Sequence, residues 1–158
     1  MNTHSSIRFF DPAVSWTQGD IILFRFPYLS AENCATRAPR PCLVLDREQY
    51  YGATFVELLP GTQSLLPAPE PGDLSIDETA FIAPYDHTGT WRFIVACHER
   101  FDTCHPDFHV VDPSASQLIG RAFGTTLAMV EHLRGQLQAT RELHMAEKRS
   151  RRASRHKR

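Results

Sequence analysis

Short apolar runs separated by turn-rich segments occupy most of this chain. The runs are rich in β-branched and aromatic residues, and their borders carry the Gly, Pro, Asn and Asp residues that favour turns. This pattern predicts strands at Asp20–Phe26, Pro41–Asp46, Thr54–Leu59, Thr79–Ala83, Trp91–His98 and Asp107–Val111. Leu66–Gly72 contains three prolines, which exclude a regular helix or a central strand, so this segment is predicted to be a loop.

The last long segment changes from strand-like to helical periodicity. Apolar residues recur there at i, i+3 or i+4 spacing, in the series Leu127, Val130, Leu133 (or Arg134) and Leu137. Thr125 or Thr126 is the expected N-cap. Just before this helix, residues 113–123 fit either a strand near Gln117–Ala122 or a helix that starts at Asp112-Pro113-Ser114.

Five or six short strands and one late helix predict a mainly β protein. The expected fold is a small, strongly bent antiparallel sheet that closes towards a barrel, with a C-terminal helix. A length of 158 residues with 42% hydrophobic content is enough for one domain with a core of ordinary size. We divide the chain into an irregular arm (1–15), the barrel domain (16–145) and a basic tail (146–158).

Charge is divided unevenly along the chain. Residues 146–158 carry seven Lys/Arg against one Glu (+6), whereas residues 1–145 carry 10 Lys/Arg against 17 Asp/Glu (−7). The tail is expected to be disordered or an exposed helical extension. Two roles stay equally open for its charge: added affinity for nucleic-acid phosphates, or no more than a solubilising end. No run approaches the roughly 18 apolar residues of a membrane span, and no signal peptide pattern opens the chain, so we expect a cytoplasmic protein without a membrane partner.

The four cysteines are expected to be free thiols, because nothing in the sequence indicates secretion. The set Cys97, His98, Cys104, His105 and His109 is the one constellation that resembles a zinc site. Adjacent strand residues point to opposite faces, so Cys97 and His98 cannot both face one ion unless the chain bulges. We therefore expect no metal and no cofactor.

An arginine is held at the entrance of the second predicted strand. Arg40 is always charged and presents a planar fork of donors that suits a phosphate. Pro41 fixes its own φ and favours an extended backbone at Arg40. A cation positioned in this way suits a protein that binds or cleaves phosphodiesters; the alternative is an ordinary surface arginine in a loop that also contains Arg37.

Three segments resemble the PemK/MazF family of toxin ribonucleases. The first is Trp16–Leu45, in which the family's Gly-Asp-Ile, Pro and Arg-Pro pattern is matched by Gly19, Asp20, Ile21, Pro27, Arg40 and Pro41. The second is Phe55–Ser64 (FVELLPGTQS), which is similar to the family's strand ending in Pro-x-Thr. The third is Ile119–Leu137, which resembles the closing strand, Gly and terminal helix, and it favours a strand near Gln117–Ala122.

The resemblance implies an SH3-like barrel, a homodimer, and a sequence-specific endoribonuclease toxin paired with an acidic antitoxin. Metal-free cleavage of single-stranded RNA needs acid–base groups and fixed donors for the phosphoryl oxygens. By motif, Arg40 and Thr62 inherit catalytic positions, and an alignment of WRFIVACHE places His98 where some members carry an aspartate. Thr62 could equally be a turn hydroxyl, and His98 a half-exposed histidine at a strand end.

The RNA-binding surface is expected to include Arg25, Arg37 and Glu99, with Glu99 also able to orient His98. Two departures from the family stand out: Ala96 falls where an arginine is expected, and the loop before Arg40 lacks the usual glycine. Two other functions therefore stay open, namely a gyrase-poisoning toxin on the same barrel and a non-catalytic module that binds nucleic acid or protein.

Overall fold

The computed structural model describes residues 16–27, 38–65, 68–82, 88–108 and 117–155. Within these ranges the chain forms seven strands and one long helix. The elements are β1 (Asp20–Phe24), β2 (Arg40–Tyr50), β3 (Ala53–Thr62), β4 (Leu74–Ile76), β5 (Trp91–Phe93), β6 (Glu99–Asp102), β7 (Leu118–Arg121) and α1 (Gly124–Arg155). The protein is therefore mainly β with a C-terminal helix, as the sequence predicts.

All the strand pairs are antiparallel, and the sheet is curled. Its order is β4-β5-β3-β2-β1-β7, and β6 pairs with the part of β3 that β5 leaves free. An isolated bridge joins Phe81, which follows β4 in the chain, to Gly120 of β7. The two ends of the sheet thus approach each other, and the sheet forms a half-barrel.

The sheet buries apolar side chains on both faces. On one face, which we call the helix face, Leu43, Leu59 and Phe93 pack with Val130 and Leu133 of α1. The opposite face, which we call the aromatic face, carries a cluster of Trp16, Ile22, Phe24, Phe26, Cys42, Val44, Val56, Leu58, Phe101 and Phe108. Since side chains alternate along a strand, a residue on β2 or β3 can be assigned to a face from its neighbours.

The Gly-Asp pair before β1 has a structural role. Gly19 has a φ of +88°, which an L side chain rarely adopts, and its backbone bonds both Val44 and Ala122. The carboxylate of Asp20 is buried and accepts hydrogen bonds from the Thr17 N–H at 2.8 Å and from Arg121 Nε at 2.7 Å. These contacts fix β1 against its neighbours and keep the Asp20 carboxylate inside the protein.

Gly120 of β7 lies where the two ends of the sheet meet. A Cβ at this position would lie 2.6 Å from the carbonyl oxygen of Ala80 and 3.2 Å from the Cα of Phe81. Both atoms belong to backbone, so they cannot rotate away. The absence of a side chain at Gly120 therefore allows the two ends of the sheet to meet.

Several predicted strands have different bounds in the structure. The first ends at Phe24, because a tight turn joins the Phe26 N–H to the Phe24 carbonyl. The second and third are longer than predicted, since they form one hairpin from Arg40 to Thr62. A strand was also predicted near Gln117–Ala122, and β7 confirms it.

Of three other strand predictions, two are wrong in the described residues and one, at Trp91–His98, is confirmed only at its start. The segment expected at Thr79–Ala83 is a 3₁₀ turn at Glu78–Ala80, and the neighbouring strand is β4. Trp91–His98 divides into β5 and a 3₁₀ turn at Val95–Cys97, because the Asp73 carboxylate takes the Val95 N–H. The start of Asp107–Val111 lies in a 3₁₀ turn at Pro106–Phe108, and residues 109–111 fall outside the description.

The C-terminal helix begins at Gly124, so Thr125 and Thr126 lie in its first turn and neither is the N-cap. Its predicted apolar stripe packs on the sheet through Val130 and Leu133. The helix continues through the basic tail as far as Arg155, with exposed side chains up to residue 154. This is the exposed helical extension, one of the two forms expected for the tail; residues 1–15 lie outside the description.

Among the helices of the described chain, none is long and apolar enough to cross a membrane.

Candidate functional site

Arg40 is the first residue of β2 and lies opposite Phe24 of β1. It shares the aromatic face with Cys42, two residues further along the strand. Its Nε atom is buried and has no hydrogen-bond partner in the described structure. A buried guanidinium nitrogen without a partner is costly, so Arg40 is a candidate to bind an anion.

Thr62 lies beside Arg40 on the same face. The last pair of β2 with β3 at this end is Cys42 with Pro60, and the same antiparallel register extended by two residues sets Arg40 opposite Thr62. Both are half-buried, at the end of the sheet where β2 begins and β3 ends. The Thr62 Oγ1 accepts a hydrogen bond from the Ser64 N–H at 3.0 Å, and its own proton is still available for donation. The arginine and the hydroxyl that the sequence singled out are thus neighbours.

His98 lies on the other face of the sheet. It comes directly before β6, and its Nδ1 lies 2.8 Å from the Val95 carbonyl oxygen, to which the N–H donates. Its Nε2 lies 3.6 Å from Oε1 of Glu57. Glu57 stands between Val56 and Leu58, which both face the aromatic cluster, so Glu57 and His98 belong to the helix face. Within one protomer, His98 is separated from Arg40 and Thr62 by the sheet.

The Glu57 carboxylate links the sheet to the helix. Its side chain is 6% exposed and forms an ion pair with Arg141 of α1, in addition to the His98 contact. Arg134, two turns earlier in α1, pairs with Asp46 at 3.1 Å. These two ion pairs hold the helix against β2 and β3. His98 therefore lies among contacts that stabilise the fold.

The remaining predicted residues are dispersed. Glu99 of β6 pairs with Leu58 of β3 and shares the aromatic face with Phe101. Leu58 is four residue steps from Thr62 along β3, or about 13 Å. Arg25 directly follows β1, where its N–H donates to the Asp107 carbonyl at 3.3 Å. Arg37 lies outside the described residues.

A second arginine borders Thr62, and the sequence analysis missed it. Arg92 of β5 is the direct cross-strand partner of Thr62. It points away from the helix face, because its neighbour Phe93 is buried in that core. The alternation of Trp91, Arg92 and Phe93 is a signal in the sequence for a side chain on the outer face at Arg92. The strand predicted there ended at His98, and only His98 was treated as a site residue.

Asp73 holds Arg92 in place. Oδ2 of Asp73 accepts from Arg92 at 2.6 Å and from the Glu70 N–H at 3.1 Å, and Oδ1 accepts from the Val95 N–H at 3.1 Å. Burial by itself raises the pKa of this carboxyl, but the hydrogen bonds from Glu70, Arg92 and Val95 outweigh it and hold the pKa below its ordinary value. Asp73 is therefore a charged carboxylate whose hydrogen bonds hold Arg92 in one position.

Burial makes two of the described cysteines poor nucleophiles. Cys42 is completely buried, and burial raises the pKa of its thiol far above neutrality in spite of the nearby Arg40. Burial and the charges of Asp73 and Glu70 also raise the pKa of Cys97. Cys42 and Cys97 are free thiols, and no cluster of three metal-ligating side chains occurs in the described part of the chain, which leaves out Cys34 and His109.

Models of known protein families were compared with the chain and none matched, and a search of curated proteins also found no match. The fold and the site define a curled antiparallel sheet with a C-terminal helix and a pairing of arginine and threonine at one end of its central hairpin.

Proposed function

We propose that the protein is a metal-independent, sequence-specific endoribonuclease toxin of a type II toxin–antitoxin pair, built on an SH3-like barrel of the PemK/MazF kind. One observation carries the proposal. Arg40 has a buried Nε without a partner, and the register of β2 on β3, extended by two residues, sets this arginine opposite Thr62 on one face of the sheet. This pair supplies a fixed cation and a neutral donor at adjacent positions, as a phosphate requires.

Cleavage at this site requires three events: activation of the RNA 2′-hydroxyl, stabilisation of charge on the phosphoryl oxygens, and protonation of the leaving 5′-oxygen. Arg40 and Thr62 would serve the second event, since both donate hydrogen bonds to oxygen. His98 was the candidate acid or base. Its position beside Glu57 argues against that role within the same protomer, so the proposal depends on Arg40 and Thr62.

The proposed partners are single-stranded RNA, an acidic antitoxin and a second copy of the chain. An Asp/Glu-bearing peptide would pair with Arg40 in place of RNA phosphate, so the antitoxin and RNA would compete. Because the attraction is electrostatic, binding of either partner should weaken as salt rises.

The test is cleavage of a defined RNA by the purified protein in EDTA. Arg40→Ala should lower the rate by about 10²–10³-fold, which is the usual effect of losing one good electrostatic donor. Arg100→Ala is the matched control, because Arg100 pairs with exposed Glu48 on the same sheet but on the helix face. Equal activity of the wild-type protein and Arg40→Ala would remove Arg40 from the mechanism.

A second candidate function is favoured by the position of His98. If the site has no acid–base residue, the barrel acts by binding alone, either as a gyrase poison or as a module for nucleic acid or protein. The protein would then bind its target and leave RNA uncut in EDTA. Inhibition of gyrase without RNA cleavage would decide for the first of these alternatives.

A further inference from the structure

We infer that Asp73 and Arg92 are positioning residues for the hydroxyl of Thr62, and that they act through the backbone of Ser64. The inference rests on the proposed function and adds two residues to that site. Asp73 lies outside the segments that were compared with the family, and it is 19 residues away from Arg92 in the chain.

The connection runs through four residues with short contacts at each step. Asp73 accepts from Arg92 NH1 at 2.6 Å, Arg92 NH2 donates to the Ser64 carbonyl at 3.2 Å, and the Ser64 N–H donates to Thr62 Oγ1 at 3.0 Å. The side chains of Asp73 and Arg92 are only 4% and 12% exposed. A buried charged pair of this kind keeps one geometry, because each charge depends on the other.

The consequence for Thr62 concerns the direction of its hydroxyl proton. A threonine hydroxyl rotates freely at the surface, and its proton can point in several directions. When Oγ1 accepts the Ser64 N–H, one lone pair is fixed and the proton is directed away from Ser64. The register of β2 on β3, extended by two residues beyond Cys42 and Pro60, sets Arg40 and Thr62 opposite each other on the aromatic face. A hydroxyl donor fixed in this way is therefore ready for a phosphoryl oxygen held by Arg40.

Positioning of this type should affect the chemical step more than substrate binding. Misplacing a catalytic group by about 1 Å can cost on the order of 10²-fold in rate. Loss of the Arg92 contact to Ser64 should therefore lower kcat by roughly 10–100-fold with little change in KM. A residue that only stabilised the fold would lower the amount of active protein and leave kcat per folded molecule unchanged.

The experiment measures kcat and KM on a defined RNA for Arg92→Met, Arg92→Lys and Asp73→Asn, each alone and combined with Thr62→Val. Arg92→Lys keeps the charge beside Asp73 but loses the fork that also reaches Ser64, and it carries the test if Arg92→Met does not fold. Arg100→Met is the control, because it breaks the exposed pair with Glu48. Hydrogen exchange of the Ser64 amide provides a readout that does not depend on activity.

We expect a lower kcat and faster Ser64 exchange in each single variant, and no further loss of kcat when Thr62→Val is already present. The inference is overturned if the wild-type protein cleaves RNA and the Arg92 and Asp73 variants match it, or if their losses multiply with that of Thr62→Val. A wild-type protein that neither binds nor cleaves RNA would overturn the proposed function as well. That result can be told apart from the two outcomes above, because both of those require a wild-type protein that cleaves RNA.

Discussion

Replacement of Arg40 by methionine separates a functional arginine from a structural one. Methionine matches the arginine side chain only as far as Nε and has no polar group that needs a partner. Arg40→Met therefore keeps the packing of the side-chain stem and removes the guanidinium. If Arg40 binds phosphate, its unpartnered Nε is a cost that the folded protein carries for function. The variant should then lose cleavage without losing stability.

The magnitude follows from the environment of the side chain. A buried donor without a partner costs about 1–3 kcal/mol. Arg40 is half-buried, so water still reaches part of its guanidinium, and the lower part of that range applies. We expect the free energy of unfolding to rise by about 1 kcal/mol, which corresponds to roughly 2–4 °C in Tm for a domain of this size. Cleavage should fall by about 10²–10³-fold.

The assay combines thermal and urea unfolding with RNA cleavage in EDTA. Arg47→Met is the matched control, because the Nε of Arg47 is also buried without a partner and Arg47 lies on the same strand, about 23 Å from Arg40. The control should gain similar stability and keep full activity. A loss of more than about 1 kcal/mol in Arg40→Met would refute the reasoning, because Arg40 would then stabilise the fold.

Four further predictions follow from the fold and the ion pairs. Gly120→Ala should lower the free energy of unfolding by about 2 kcal/mol or more, because its Cβ meets backbone at 2.6 Å; an unchanged urea midpoint would contradict this. Arg141→Ala leaves the Glu57 carboxylate buried and should lower the free energy of unfolding by about 1–3 kcal/mol, which is less than for a fully buried pair because Arg141 is half-exposed. Arg134→Ala should lower it by less in the same urea unfolding experiment. The pKa of Asp73 is lower in the folded state, so its stabilisation is present above the unfolded pKa of about 4 and is lost as pH falls through the folded pKa. The loss in free energy of unfolding caused by Asp73→Asn should therefore shrink in acid. A loss that stays constant from pH 7 to pH 3 would argue against a stabilising Asp73 carboxylate. The purified protein should contain no stoichiometric zinc by elemental analysis, and a chelator should leave its Tm unchanged.

The local patterns of the chain predicted the central hairpin and the terminal helix well. The apolar runs that became β1, β2 and β3 are long enough for alternation and turn residues to define them. The helical stripe that includes Val130 and Leu133 was visible for the same reason. Shorter elements were missed where a tertiary contact decides them, as at Val95, whose N–H bonds Asp73 and not a neighbouring strand.

The sequence by itself determined which residues have the chemistry for a phosphate site, because an arginine before a proline and a threonine at a strand end are local features. Only the tertiary structure decided which of them meet. A strand shows that alternate side chains share a face, but its register and its partners fix which face is buried and which residues become neighbours. The register of β2 on β3 brings Arg40 towards Thr62. Glu57 contacts both Arg141, 84 residues away, and His98 on the helix face. Asp73, in the turn before β4, reaches Arg92 of β5. These contacts join distant parts of the chain, so no local pattern contains them.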